Sequence, residues 1–257
     1  MCLILAAWRV HPRYPLVVAA NRDEFFARPT APVSFWPHTD IVAGRDLQAG
    51  GTWMGVSRGG RFAALTNYRD PTRHRGDAAS RGQLVADFLA GSGSVADYLD
   101  ELTRTAGRYN DFNLLVGDDH NLACFSSVTG RGVVLEPGIH GLSNHLLDSP
   151  WPKVVAAKSA LAAALDALPD ERPFFELLRD DSVHPDGALP RTGVSLEWER
   201  LLSSAFVRAG NYGTRSSTLL LMAADGVVRL DEQTWLPEGK PGGRVRFRFS
   251  RKADGSS

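Results

Sequence analysis

Two apolar stretches near the start decide the fold: Cys2-Leu3-Ile4-Leu5-Ala6-Ala7-Trp8 and Leu16-Val17-Val18-Ala19-Ala20, the second running straight into Asn21-Arg22-Asp23-Glu24. Each run is short, aliphatic and bounded by turn formers, which reads as a buried strand rather than a helix. Tyr14 and Pro15 mark the break between them, so the pair predicts a β-hairpin. Four consecutive polar residues then stand at a strand end, two of them acidic and one a fork-shaped guanidinium. If the two strands pair, these residues line a pocket beside the strand that carries Cys2.

The same pattern recurs along the chain. Residues 52–57 and 61–66 read as strands joined by Arg58-Gly59-Gly60, where glycine supplies the positive φ of a tight turn. Residues 113–116 and 122–126 flank Asp118-Asp119-His120-Asn121, and residues 218–223 and 227–230 flank Asp225-Gly226. Residues 244–249 alternate charged and apolar side chains, as a half-exposed edge strand does. Helices are expected from Ser80 to about Leu89, from Val95 to about Thr105 behind a Ser94 cap, and over 151–168 with Lys153 and Lys158 on an exposed face. Shorter ones are expected over 172–178 and 196–206. Antiparallel strands with helices grouped between them imply an α+β fold, antiparallel sheet covered by helices; the pattern leaves one sheet or two open. Residues 1–250 read as a single domain and 251–257 as a disordered tail.

A chain of 257 residues suits one large layered domain that needs neither metal nor disulfide to hold together. Twenty-nine basic and twenty-nine acidic residues cancel, which removes any overall electrostatic case for nucleic acid or an anionic membrane. Two cysteines are too few for a disulfide framework and suit a reducing compartment, so a cytoplasmic location is expected. The opening apolar run lacks a preceding basic region and a small-residue cleavage site, unlike a secretory signal. No apolar run approaches the roughly 18 residues of a membrane span, so no integral membrane segment is expected.

Chemistry concentrates on Cys2. Removal of Met1 leaves an α-amine with a pKa of about 8 and a thiol of about 8.5 on one residue, so the amine can act as base for its own nucleophile. The competing reading is a small apolar residue opening a strand. Arg22 suits a thiolate or a carboxylate and Asp23 a protonated amine; equally, the tetrad suits a solvated turn with a surface ion pair. Asn67 and Asn144 offer neutral donors for an oxyanion, although asparagine is also a common turn former. Asn211-Tyr212-Gly213-Thr214-Arg215-Ser216-Ser217-Thr218 reads as a polar loop with Arg215 as a second anion clamp. There is no P-loop, dinucleotide fingerprint or Gly-x-Ser-x-Gly elbow, and the seven histidines form no zinc motif, so no metal is expected. Without a Cys-x-x-Cys-His site, any haem would be held noncovalently.

Taken in order, these segments resemble the NRDE family, also called the transport-and-Golgi-organisation family, named for the tetrad that stands here at Asn21-Arg22-Asp23-Glu24. The likeness also runs through Met1-Cys2-Leu3-Ile4, Gly50-Gly51-Thr52-Trp53-Met54-Gly55, Thr66-Asn67-Tyr68-Arg69, Ser80-Arg81-Gly82, Tyr109-Asn110-Asp111-Phe112-Asn113-Leu114, Gly141-Leu142-Ser143-Asn144, Trp151-Pro152-Lys153 and Tyr212-Gly213-Thr214-Arg215-Ser216-Ser217. It implies a four-layer αββα sandwich like that of the N-terminal nucleophile hydrolases, near their cysteine branch of bile-salt and penicillin V amidases. By that resemblance Cys2 is the nucleophile, Arg22 and Asp23 its neighbours, Asn67 and Asn144 oxyanion donors, and Arg215 a thiolate or substrate partner. Asn21, Glu24, Trp53, Tyr68, Arg69 and Tyr212 are the expected substrate contacts. Those amidases usually place two residues between the arginine and the aspartate. Here the two are adjacent, so one strand through both turns them to opposite faces.

Two functions follow from the resemblance. One is hydrolysis of a linear amide in a small-molecule substrate, which needs no cofactor. The other is binding and trafficking of a hydrophobic anion, haem or a lipid or acyl-coenzyme A, with Arg22, Arg69 and Arg215 meeting carboxylates.

Overall fold

The computed structural model describes residues 2–252. Strands β1 (Cys2–His11), β2 (Tyr14–Phe25), β3 (Thr30–Phe35), β4 (Ile41–Asp46), β5 (Met54–Ser57) and β6 (Phe62–Asn67) precede helices α1 (Gly82–Ala90) and α2 (Val95–Thr105). Strands β7 (Phe112–Gly117), β8 (Leu122–Ser126), β9 (Arg131–Val134) and β10 (Gly138–Leu142) lead to α3 (Pro152–Asp166), α4 (Arg172–Leu178) and α5 (Leu196–Leu201). The short β11 (Arg208–Ala209) and the long β12 (Tyr212–Met222), β13 (Val227–Leu236) and β14 (Lys240–Ser250) complete the order.

These strands form two antiparallel sheets. The first runs β10-β1-β2-β12-β13-β14, with β11 paired to β12; the second is a meander in chain order, β3 to β9. Alternation along the β1–β2 hairpin explains the layering. Ile4, Ala6, Trp8, Leu16, Val18 and Ala20 pack between the sheets. Leu3, Leu5, Val17 and Ala19 face α3 and α4 instead. The second sheet buries its outer face under α1 and α2 through Phe88, Leu102, Leu114 and Phe125. Four layers result, helix–sheet–sheet–helix. Strands covered on both faces lose the alternating polar pattern, which is why β1 and β2 read as unbroken apolar runs. No helix among the described residues is long and apolar enough to cross a membrane.

Several expectations need correction. Strands β3, β4, β9 and β10 carry too few apolar residues in pattern to stand out. Residues 211–218, expected as a polar loop, lie mostly in β12, where Thr214 and Ser217 pair with Asp23 and Asn21 of β2. Helix α1 begins at Gly82 with no side-chain cap, so Ser80 does not cap it. Lys153, expected on an exposed face of α3, is buried, its Nζ donating to the Leu202 carbonyl at 2.8 Å. Ser94 does cap α2, in a reciprocal box with Asp97. Of the expected tail, Arg251 pairs with Asp119 and Lys252 with Asp40. Met1 and residues 253–257 lie outside the described residues.

Candidate active site

Strand pairing sets the position of Cys2. In the β1–β2 ladder Cys2 stands opposite Arg22 and Leu3 opposite Asn21. Following the alternation, Cys2, Arg22 and Glu24 point between the sheets, while Asn21 and Asp23 point to the helical side. Adjacent Arg22 and Asp23 therefore do turn to opposite faces. Asn21 is wholly buried, donating to the carbonyls of Leu178 (2.7 Å) and Ala205 (2.8 Å) and accepting from Ser217 Oγ (2.6 Å). Asp23 accepts from Thr214 Oγ1 at 2.7 Å and lies in the field of Lys153 and Arg69. Ser143 Oγ holds the Cys2 carbonyl at 3.1 Å.

A cleft of about 550 Å³ opens where the two sheets end, with Cys2 in its wall. Arg22, Asp23 and Glu24 contribute from β2, Asn67 from β6 of the second sheet and Trp53 from the segment just before β5, and the 74–82 segment closes the other side. That segment reaches the sheet because two glycines meet: a β-carbon at Gly51 would overlap the Gly82 backbone, whose carbonyl accepts from Thr52 N at 3.1 Å. Arg22 is 6% exposed, lies 4.3 Å over the Trp53 ring, donates to Thr30 Oγ1 at 3.2 Å and stands 3.8 Å from Asp46.

Electrostatics in the cleft are set by desolvation. Burial pushes the Cys2 thiol above its ordinary range, with Arg22 acting in the opposite direction. Asp23 is likewise raised by burial, partly offset by Lys153 and the Thr214 hydrogen bond. Lys153 is brought down to about 8 by burial, against the pull of Asp23. Arg81, on the cleft wall, is also lowered by burial and feels Cys2. Cys124, sealed between the sheets, is pushed up to about 12 by burial. Both cysteines are free thiols.

Six expected residues thus converge on one cleft: Cys2, Arg22, Asp23, Glu24, Trp53 and Asn67. The others do not line it. Asn144 is wholly buried, its Nδ2 donating to the Asn67 carbonyl at 2.9 Å. Arg69 forms a buried ion pair with Glu199 at 2.7 Å, Tyr212 packs on Phe25 and Trp198, and Tyr68 lies on His145. Arg215 faces a different cavity. Arg81 and Lys153 join the site unforeseen; their only sequence signal was membership of the short runs Ser80-Arg81-Gly82 and Trp151-Pro152-Lys153. Among the described residues no three His, Cys, Asp or Glu side chains come together as a metal site would require.

Residues 1–237 match the sequence model of the family described as TANGO2, Transport and Golgi organisation 2. The chain belongs to that family. Its bovine relative, a Transport and Golgi organization protein 2 homolog from Bos taurus, is 36% identical over 261 residues, covering 92% of this chain and 94% of the relative. The Homo sapiens homolog is 34% identical with the same coverage, and the Drosophila melanogaster protein 28% identical over 91% of this chain and 92% of its own length. Among solved structures the chain is similar to a Caenorhabditis elegans N-acylethanolamine-hydrolyzing acid amidase ortholog (TM-score 0.47, 11% identity, covering 86% of this chain and 92% of that one). It is also similar to the C2A mutant of a conjugated bile acid hydrolase from Clostridium perfringens (TM-score 0.48, 11% identity, 97% and 92%).

Proposed function

We propose that this family member is a cysteine amidohydrolase acting on a linear amide of a small molecule, with Cys2 as nucleophile once Met1 is removed. The observation that carries the proposal is the position of Cys2: it opens a core strand in the wall of a 550 Å³ cleft, opposite Arg22, with Asn67 across from it on the second sheet. A cleft of that size suits a small molecule. The α-amine takes the thiol proton as the sulfur attacks, so no free thiolate has to stand in the buried site. The sulfur adds to the amide carbonyl, and the oxyanion meets Asn67 or Arg81 on the cleft wall. Collapse transfers the proton to the leaving amine and forms a thioester. Water, deprotonated by the same α-amine, releases the acid and restores Cys2. Asp23, buried beneath the strand end beside Lys153, supplies the negative charge that balances the protonated amine.

The carrier alternative gains less from this cleft. Four arginines (22, 28, 75 and 81) line it, and Trp53 and Leu65 are its large apolar faces; a haem needs a broader apolar slot. Two free thiols support a reducing, cytoplasmic setting. The test is hydrolysis of short N-acyl p-nitroanilides by protein whose Met1 has been removed, beside Cys2→Ala. Release of p-nitroaniline by the wild type alone is expected; equal turnover by Cys2→Ala would overturn the proposal.

A further inference from the structure

A second cavity, of about 350 Å³, lies on the far side of the Arg22–Trp53 stack, and both residues line it as well as the Cys2 cleft. Its position follows from a β-bulge. Thr214 pairs with Asp23 and Ser216 with Arg22, so Arg215 is an extra residue in β12. The bulge lets Thr214 face the helices while Ser216 faces the space between the sheets, and it re-aims Arg215 toward the sheet end.

The charges there are under-compensated. Arg215 Nη1 donates to the carbonyls of Phe25 (2.8 Å) and Arg28 (3.1 Å), and its guanidinium lies 5.3 Å from the Phe26 ring centre. Among the described residues it has no carboxylate at ion-pair distance; Glu24 acts on it only from farther off. Arg22, the other cation of the cavity, has its nearest carboxylate at 3.8 Å. Burial lowers Arg215, and repulsion from the Arg22 guanidinium adds to that penalty. Glu232 also lines the cavity and is in the field of Arg22 rather than of Arg215. It is 1% exposed and its two oxygens are engaged by Val33 N at 2.9 Å and Thr218 Oγ1 at 3.3 Å; burial raises its carboxyl, while these hydrogen bonds and Arg22 act the other way. The apolar part of the wall is made by Leu236 and Val245; Trp235 borders the cavity, but its ring packs on Phe206 and its Nε1 donates to Ser217 on the helical side.

We propose that this cavity binds a small carboxylate with an aromatic or branched apolar body, the carboxylate held between Arg22 and Arg215 and the body against Leu236 and Val245. A planar carboxylate matches two guanidinium forks, and its charge relieves their repulsion. The volume stands at the lower end for small-molecule sites, which fits a compact acid. Arg215 is then the residue that selects acid over neutral ligand. This binding needs no turnover at Cys2, so it stands or falls apart from the hydrolase proposal.

The experiment is calorimetric titration of the full chain with 3-phenylpropionate and with 3-phenylpropionamide, which keeps the shape and lacks the charge. The acid is expected to bind about tenfold or more tightly than the amide, as charge-assisted hydrogen bonds do. Arg215→Gln should erase that preference and Arg215→Lys restore part of it, while Cys2→Ala keeps it. Because Arg215 also holds two carbonyls, Ala31→Phe, which fills the cavity and leaves both arginines in the chain, serves as a second variant and should abolish binding of the acid. Equal binding of acid and amide, unchanged acid affinity in folded Arg215→Gln or in Ala31→Phe, or no saturable binding of the acid at about millimolar concentration overturns the proposal.

Discussion

Asn21 shows how a single amide can fix a site it never enters. Its side chain ties β2 to the carbonyl of Leu178 at the end of α4, to that of Ala205 after α5 and to Ser217 of β12, so Asn21→Ala removes three buried hydrogen bonds and strands two carbonyls. A loss of about 3 kcal/mol in urea unfolding is expected. Cys2 gives a chemical prediction at the same scale. With its thiol raised by burial, iodoacetamide labelling should keep climbing above about pH 8.5, with no plateau at neutral pH. Lys153 gives one in stability. Its folded pKa of about 8 is below the unfolded value, so the unfolded chain binds more protons between the two and stability rises with pH through that window. Relative to Lys153→Met, the wild type should gain on the order of 3 kcal/mol from about pH 7 to about pH 10.5. The tetrad itself was legible as a polar strand end. The turning of adjacent Arg22 and Asp23 to opposite faces was legible too, given one strand through both; that the strand runs through all four is what the polar composition left open. Lys153 was misplaced because a lysine in an alanine-rich helix ordinarily faces water; here it is needed beside Asp23.

Among the elements, the hairpins and the long helices were readable because period and turn chemistry are local. β12 was not. Its first half, Tyr212-Gly213-Thr214-Arg215-Ser216-Ser217, is as polar as a loop, and only the partners on β2 make it a strand: Thr214 for Asp23, Ser217 for Asn21. Those partners lie far away in sequence, so no local signal reveals them. Helix α5 is another element held from a distance. It spans six residues, too few to persist alone. Glu199 anchors it, accepting from Arg69 at 2.7 Å and from Thr192 N and Oγ1, while Arg69 lies 4.8 Å from the Trp151 ring centre. Glu199→Ala leaves Arg69 buried without that carboxylate and should cost about 3–5 kcal/mol. The double variant Arg69→Met/Glu199→Met should unfold at higher denaturant than Glu199→Ala alone. If it is the less stable of the two, the pair is not what fastens α5.

At the scale of the molecule, four layers place two sheet ends side by side and leave a cleft between them. Its contents come from β1, β2, the segment around Trp53 and the 74–82 segment, none of which alone makes a site. The layers were anticipated from helix and hairpin grouping together with the family resemblance; the join of the two cavities at the Arg22–Trp53 stack was not, because it depends on Gly44 of β4. A β-carbon there would overlap the Trp53 indole, so Gly44→Ala should shift the ring and change labelling of Cys2 without unfolding the protein. The central claim concerns Cys2 as a mature terminus that reacts in the cleft. Intact-mass and peptide mass spectrometry of untagged protein, before and after an acylating amide mimic, tests it most directly. The account predicts loss of one methionine and a single adduct mapped to Cys2. Retention of Met1, or an adduct that forms equally on Cys2→Ala protein, would contradict it.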